Sequence, residues 1–327
     1  MVHSKINPSR GAVRFSLLFA ALAMAATLPL RIWQQIYLVE SETGFWAVGG
    51  GRGTIALLYV AMGALVALPF VTGLVLRREL ALDLARVPRT AEGVAAVLAA
   101  VAITVGAAVS LHFALSVFTG QTFVEGLLPQ QNESMMQYYI RSGAMAALFE
   151  AVFGALSALF FVSLAMVNLR PQKQSQLNRF LALTPVLWVI ARVLRRFSRT
   201  IAYLRVSDLF ITIMALVLLM LFLLAFAQLL SGVNSAGKEW RLLAAGVPAA
   251  ALLLLAFVPR VVAYRLMGGI VVPSQDAVIE WADPAMALFI CVFLYGRLGQ
   301  GAGGREQESG DENTEEDDKE AEPTEEV

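Results

Sequence analysis

Six uninterrupted apolar runs decide what this chain can become. They lie near 15–38, 53–76, 93–118, 143–167, 206–230 and 241–263. Crossing about 30 Å of hydrocarbon takes roughly 20 helical residues, and each run is long enough. Backbone amides cannot be left bare in lipid, so the runs predict helices. The period-2 alternation of a membrane barrel is missing. A seventh run covers about 277–297. An eighth candidate, 179–197, is free of charge only over Phe180–Ile190. The composition agrees: 58% hydrophobic and 15% charged, against about 45–50% and 25% in soluble domains. The expected fold is an all-α, polytopic integral membrane bundle of about eight transmembrane helices. It has seven if 179–197 is interfacial or re-entrant.

Three segments follow: a cytoplasmic N-terminal segment 1–11, a helical membrane domain 12–298, and an acidic tail 299–327. The zero net charge hides this division. Residues 306–327 hold twelve Asp or Glu and one Lys, which leaves 24 basic against 13 acidic residues in 1–305. A run of that composition cannot bury a core and is expected to be disordered. Lys5, Arg10 and Arg14 precede an apolar stretch with Ala23-Met24-Ala25, in the manner of a signal peptide. The apolar run continues past Leu30, so it reads as an uncleaved first helix.

Lys/Arg bias sets orientation. With the N-terminus inside, the first-half cytoplasmic segments hold ten basic residues and the external ones only Arg52 and Arg141. The expected location is the cell membrane, multi-pass, with a cytoplasmic N-terminus. Trp33, Tyr37, Trp46, Tyr138 and Tyr139 would contribute to an outer aromatic belt. Loop 119–142 is expected to pack partly on the membrane surface. The second half is harder. Arg192, Arg195, Arg196 and Arg199 recur at helical spacing and form one stripe. If 179–197 crosses, the stripe reaches the outer side, where Asp208, Asp276, Glu280 and Asp283 could neutralise it. If it lies in the interface, the stripe stays cytoplasmic and the tail lies outside. The eight-span reading with a cytoplasmic tail is adopted.

Ionisable groups inside apolar spans are costly and by default face protein or a wet cavity. Arg31, His112 and Glu150 are such groups. At 1.5 Å per residue, Arg31 lies about 24 Å and His112 about 28 Å from the inner ends of their runs. Glu150 lies about 10 Å below the outer surface. All three fall in the outer third, with Gln34 and Gln35 just beyond Arg31. One reading is an outward-facing substrate pocket built from Glu150, Arg31, His112, Gln34 and Gln35, with an Arg31–Glu150 pair and His112 as a proton site. The other is an ion pair that pins helices, with His112 near headgroups.

Other patterns weigh less. The glycine-rich stretch from Gly49 contains G-x-G-x-x-A at Gly51–Ala56 but follows no strand, so the dinucleotide reading fails its context. Asp276, Glu280 and Asp283 share one helix face, as ligands of a divalent cation, as a solvated helix entry or as partners of arginines. Asp208 suits a helix start. Small residues four apart, such as Gly143/Ala147/Ala151, Gly154/Ala158, Gly63/Ala67 and Gly106/Ser110, let membrane helices approach. Pro185 and Pro248 are the mid-span prolines able to break a helix. H-E-x-x-H, G-x-S-x-G and cysteine pairs are lacking, and the pattern calls for no cofactor, metal or nucleic acid. Its expected partners are the lipid bilayer and a protein for the acidic tail.

Arg31-Ile-Trp-Gln-Gln35 followed by Glu42-Thr-Gly-Phe-Trp46 resembles uncharacterised polytopic membrane proteins of Clostridia-type bacteria. In those, an Arg/Gln-bearing first helix leads to an Asp/Glu-x-Thr-Gly-Phe-aromatic loop. Pro185-Val-Leu-Trp188 then Arg192, with Phe197 nearby, is similar to their middle segment. The resemblance implies about eight helices and a bacterial cell membrane, and it carries no activity. The functional expectation is a small-solute or ion permease, or a subunit of one. The rival is a non-transporting scaffold, assembly factor or sensor acting through the tail and external loops.

Overall fold

The computed structural model describes residues 8–39, 51–75, 77, 90–121, 133–169, 180–198, 206–231, 239–266 and 280–297. The loop motif at 42–46, Arg199, Asp276 and the tail 299–327 lie outside these residues, as does the side chain of Asp208.

Every described element is helical: α1 (Pro8–Tyr37), α2 (Arg52–Val75), α3 (Thr90–Phe118), α4 (Met135–Arg141), α5 (Ala144–Leu169), α6 (Thr184–Ser198), α7 (Val206–Leu230), α8 (Trp240–Leu266) and α9 (Ala282–Arg297). A 3-10 turn, Leu181–Leu183, leads into α6. Six of these, α1, α2, α3, α5, α7 and α8, are long and apolar enough to cross a membrane. They coincide with the six apolar runs. The helices α6 and α9, of 15 and 16 residues, fall at the two weaker candidates.

Contacts between helix ends fix directions. We call the end where α1 starts proximal and the other distal. Distally, Gln34 Nε2 on α1 donates to the Thr54 carbonyl on α2 at 2.9 Å. Arg195 on α6 meets Ser110 on α3 and Glu150 on α5. Arg260 on α8 donates to Thr212 on α7, and Phe257 on α8 stacks edge-on against Trp281 just before α9. Proximally, Phe70 on α2 meets Trp240 on α8, and Arg297 on α9 meets Glu92 on α3. Leaving the short α4 aside, each helix therefore runs opposite to the one before it.

Packing follows from residue size. One stripe of α3 is buried and, apart from Ile103, small: Ala96, Ala99, Ala100, Ile103, Ala107 and Ser110. It lies against the matching stripe Ala147, Ala151, Gly154 and Ala158 of α5. A Cβ on Gly154 would sit 3.0 Å from Ala107 Cβ and 3.3 Å from Trp188 Cδ1, so three helices meet there at backbone distance. Gly63 and Ala67, by contrast, face outward, and nothing lies within 4 Å of a Cβ on Gly63. The helix α8 is buried on nearly every side, and α1, α2, α7 and α9 surround it. In the proximal half of the bundle, Phe160, Phe161, Phe222, Phe226, Phe289 and Phe293 interlock mostly edge to face. Neither proline breaks a helix. Pro248 lies within a continuous α8, and Pro185 sits in the first turn of α6, where a missing N–H costs nothing.

The short helix α4 was readable as a sequence signature. Ser134 caps it in a capping box with Gln137, and Arg141 pairs with Glu133 at 2.6 Å. Met135, Met136 and Ile140 stay exposed on it. Tyr138 does not join an aromatic belt: it is buried against Val117 and Ala144. Trp33 and Tyr37 are exposed at the distal end of α1, as a belt requires.

Gly154→Val should lower thermal stability in detergent by about 1–3 kcal/mol, because overpacking forces helices apart. Gly63→Val should change it little. Equal losses would contradict the packing assignment.

Candidate functional site

The helix α6 is amphipathic with its polar face turned inward. Leu183, Leu187, Ile190, Leu194 and Phe197 repeat every third or fourth residue and are exposed. Trp188, Val189, Ala191 and Arg192 are buried. An arginine in a low-dielectric interior needs a counter-charge and acceptors, and the neighbours supply both. Arg192 Nη2 meets Asp283 Oδ1 at 2.8 Å and also contacts Glu280. Arg196 Nη2 meets Glu280 Oε1 at 2.8 Å. Arg195 Nη1 donates to Glu150 Oε2 at 2.9 Å and to Ser110 Oγ at 2.8 Å. The guanidinium of Arg192 lies 5.0 Å from the Trp188 ring centre, and that of Arg195 5.6 Å from Phe113. Both distances suit cation–π attraction. Arg260 approaches closely enough to interact with Arg196.

A cavity of about 70 Å³ opens beside this network. Ser110, Glu150, Trp188, Arg192, Arg195 and Glu280 contribute to its wall, with Gly106 on the α3 side. The Arg192 side chain is 2% exposed, and its Nη1 finds no acceptor among the described residues. A buried donor without a partner is rare and costly, and it lies on a side chain that contributes to the cavity wall.

Of the five expected site residues, only Glu150 lines the cavity. It pairs with Arg195, not with Arg31. Arg31 and Gln34 are buried on α1, which packs on α2 and α8, whereas α5 packs on α3 and α6. Gln35 is half-buried on the same helix. His112 is exposed, two residues from the buried Ser110 and on the opposite side of α3. All five sit near the distal end of the bundle. Glu280 and Asp283 act as partners of arginines, which was one of their three readings. Among the described residues, no three His, Cys, Asp or Glu side chains are placed to hold a metal ion.

A second ionic contact closes the proximal end. Arg297 Nε and Nη2 grip the Glu92 carboxylate at 2.7–3.0 Å, and Nη2 reaches Asn168 Oδ1 at 3.5 Å. The sequence reading did not single out these residues, since it began that apolar run at 93. An acidic residue in the first turn of α3 was the available signal. Ion pairs thus hold α9 near both ends, α5 near its distal end through Glu150 and α3 near its proximal end through Glu92.

No protein family, curated protein or solved structure matches the chain.

Glu150→Leu should cost about 3–5 kcal/mol, because it strands a buried guanidinium. Adding Arg195→Met should recover most of that. Thermal unfolding of the two single variants and the double variant measures the coupling. Additive losses would mean that the pair does not form.

Proposed function

We propose that the chain is a multi-pass cell-membrane permease, or the membrane subunit of one, that takes a small polar or anionic solute from the outer side. Eight crossings with both termini cytoplasmic fit the strict alternation of helix directions. The resemblance in 31–46 and 185–197 agrees with about eight helices and with a bacterial cell membrane. The arginine stripe counted against a distal end outside, because external segments avoid basic residues. That objection weakens because Arg192, Arg195 and Arg196 are matched to Glu150, Glu280 and Asp283 within the bundle. The apolar outward face of α6 suits lipid on that side.

One observation carries the solute reading: Arg192 Nη1, buried without an acceptor among the described residues, on a side chain in the wall of a cavity. The solute class follows from size and chemistry. About 70 Å³ admits only a few heavy atoms, and an arginine donor selects an oxygen acceptor, best of all an anion. Ser110 and Glu150 would orient the solute.

The scaffold reading keeps one specific support. The phenylalanine cluster fills the bundle between its ionic ends, and α8 runs unbroken, whereas transporter sites usually lie mid-membrane on broken helices.

The test is uptake of radiolabelled formate, acetate, nitrate and phosphate by proteoliposomes. Arg192→Lys keeps the positive charge facing Glu280 and Asp283 but lacks the second nitrogen. Uptake of at least one probe should fall more than tenfold in this variant. If no probe enters, and if deletion of 306–327 removes a cellular phenotype that Arg192→Lys and Glu150→Gln leave intact, the scaffold reading replaces the permease.

A further inference from the structure

A second cavity lies at the opposite end of the molecule, and its chemistry differs. It is a crevice of about 260 Å³ between α2, α7 and α8. Its walls are almost wholly apolar: Phe70 on α2, Leu218, Leu221 and Leu224 on α7, and Trp240 and Ala244 on α8. Phe70, Leu221 and Leu224 are exposed on the outer surface, so the crevice opens sideways. Its polar lining residues are Gln228, near the end of α7, and Arg241, at the start of α8.

We propose that this crevice binds one acyl chain of an anionic glycerophospholipid of the cytoplasmic leaflet, with the phosphate held by Arg241 and Gln228. Length supports the assignment. From Gln228 to Leu218 is ten residues, or about 15 Å along α7, which is half of a hydrocarbon core about 30 Å thick. The groove therefore runs from headgroup level to the depth of one leaflet.

Local geometry supports it too. The Trp240 ring packs edge-on against Phe70, with centroids 5.7 Å apart, and the Arg241 guanidinium lies 6.0 Å from the Trp240 ring centre. A tryptophan and an arginine at the end of a membrane helix suit the interface, where one side meets chains and the other meets headgroups. Glu239, two residues before Arg241, is not part of the wall. Charge gives the lipid class. Arg77 also lies at the proximal end, just past α2, on the side that Lys/Arg bias makes cytoplasmic, where anionic lipids concentrate. This inference does not depend on the permease reading.

The test uses the full chain in detergent. Phosphatidylglycerol and phosphatidylcholine with the same acyl chains are added separately, and so are inorganic phosphate and glycerol phosphate. Native mass spectrometry counts bound lipid, and thermal unfolding reads the stabilisation that ligand binding confers. One phosphatidylglycerol per chain is expected, bound about tenfold more tightly than phosphatidylcholine. Arg241→Gln should erase that preference while leaving weak binding of both lipids. Leu221→Trp, which fills the mouth from an exposed position, should abolish binding of both. Equal affinity for the two lipids overturns the proposal, as does a preference that survives Arg241→Gln. Stabilisation by inorganic phosphate or glycerol phosphate alone would show an anion site without an acyl groove and would also overturn it. So would a dimer that excludes lipid, because a second copy would then occupy the crevice.

Discussion

Burying a guanidinium in a low-dielectric interior costs several kcal/mol unless a carboxylate and further acceptors meet it. The helix α6 buries Arg192 and largely buries Arg195, and the surrounding structure answers that demand. Glu150 and Ser110 commit α5 and α3 to α6, and Glu280 and Asp283 draw the start of α9 to it. Without those carboxylates, α6 would turn its arginines to water and lie flat. With them, its leucine, isoleucine and phenylalanine face is free to point outward. The network thus decides whether α6 joins the bundle and hence which way α7, α8 and α9 run.

How much of this the sequence carried depends on dimension. Depth along a helix was legible. The six apolar runs became six long helices, and Arg31, His112 and Glu150 do lie near one end of the bundle. Direction around the helix axis was partly legible, and it was applied to the arginine stripe but not to His112. His112 and Ser110 are two residues apart, about 200° around a helix, so both could not face the same cavity. Neighbour relations were not legible. Nothing in the hydropathy of α1 and α5 says that they are separated, so the pairing of Arg31 with Glu150 was a reasonable expectation that the helix order defeats. The α6 stripe failed differently. An amphipathic segment has two faces, and its pattern alone does not say which one meets protein. The clue was the set Glu280 and Asp283, whose helical spacing matches an arginine stripe better than an open surface.

The two ends of the molecule share a plan. Distally, carboxylates on α5 and α9 hold arginines of α6; proximally, Glu92 on α3 holds Arg297 of α9. Interlocked phenylalanines lie between them, in a region with almost no charge. A bundle closed by ion pairs at both ends over an apolar middle is rigid where the pairs hold and cheap to separate where they do not. The small cavity beside Arg192 belongs to the distal closure, and a solute that competes for that arginine would act on the contact that holds α6 in place.

Sidedness tests the central claim most directly. In a Cys291→Ser background, Ser198→Cys marks the distal end of α6 and Ser231→Cys the proximal end of α7. An impermeant maleimide applied to intact cells should label Ser198→Cys, and should reach Ser231→Cys only after permeabilisation. Labelling of Ser231→Cys in intact cells with Ser198→Cys protected would contradict the account. It would place α6 on the cytoplasmic surface, with its arginines in water rather than on Glu150, Glu280 and Asp283.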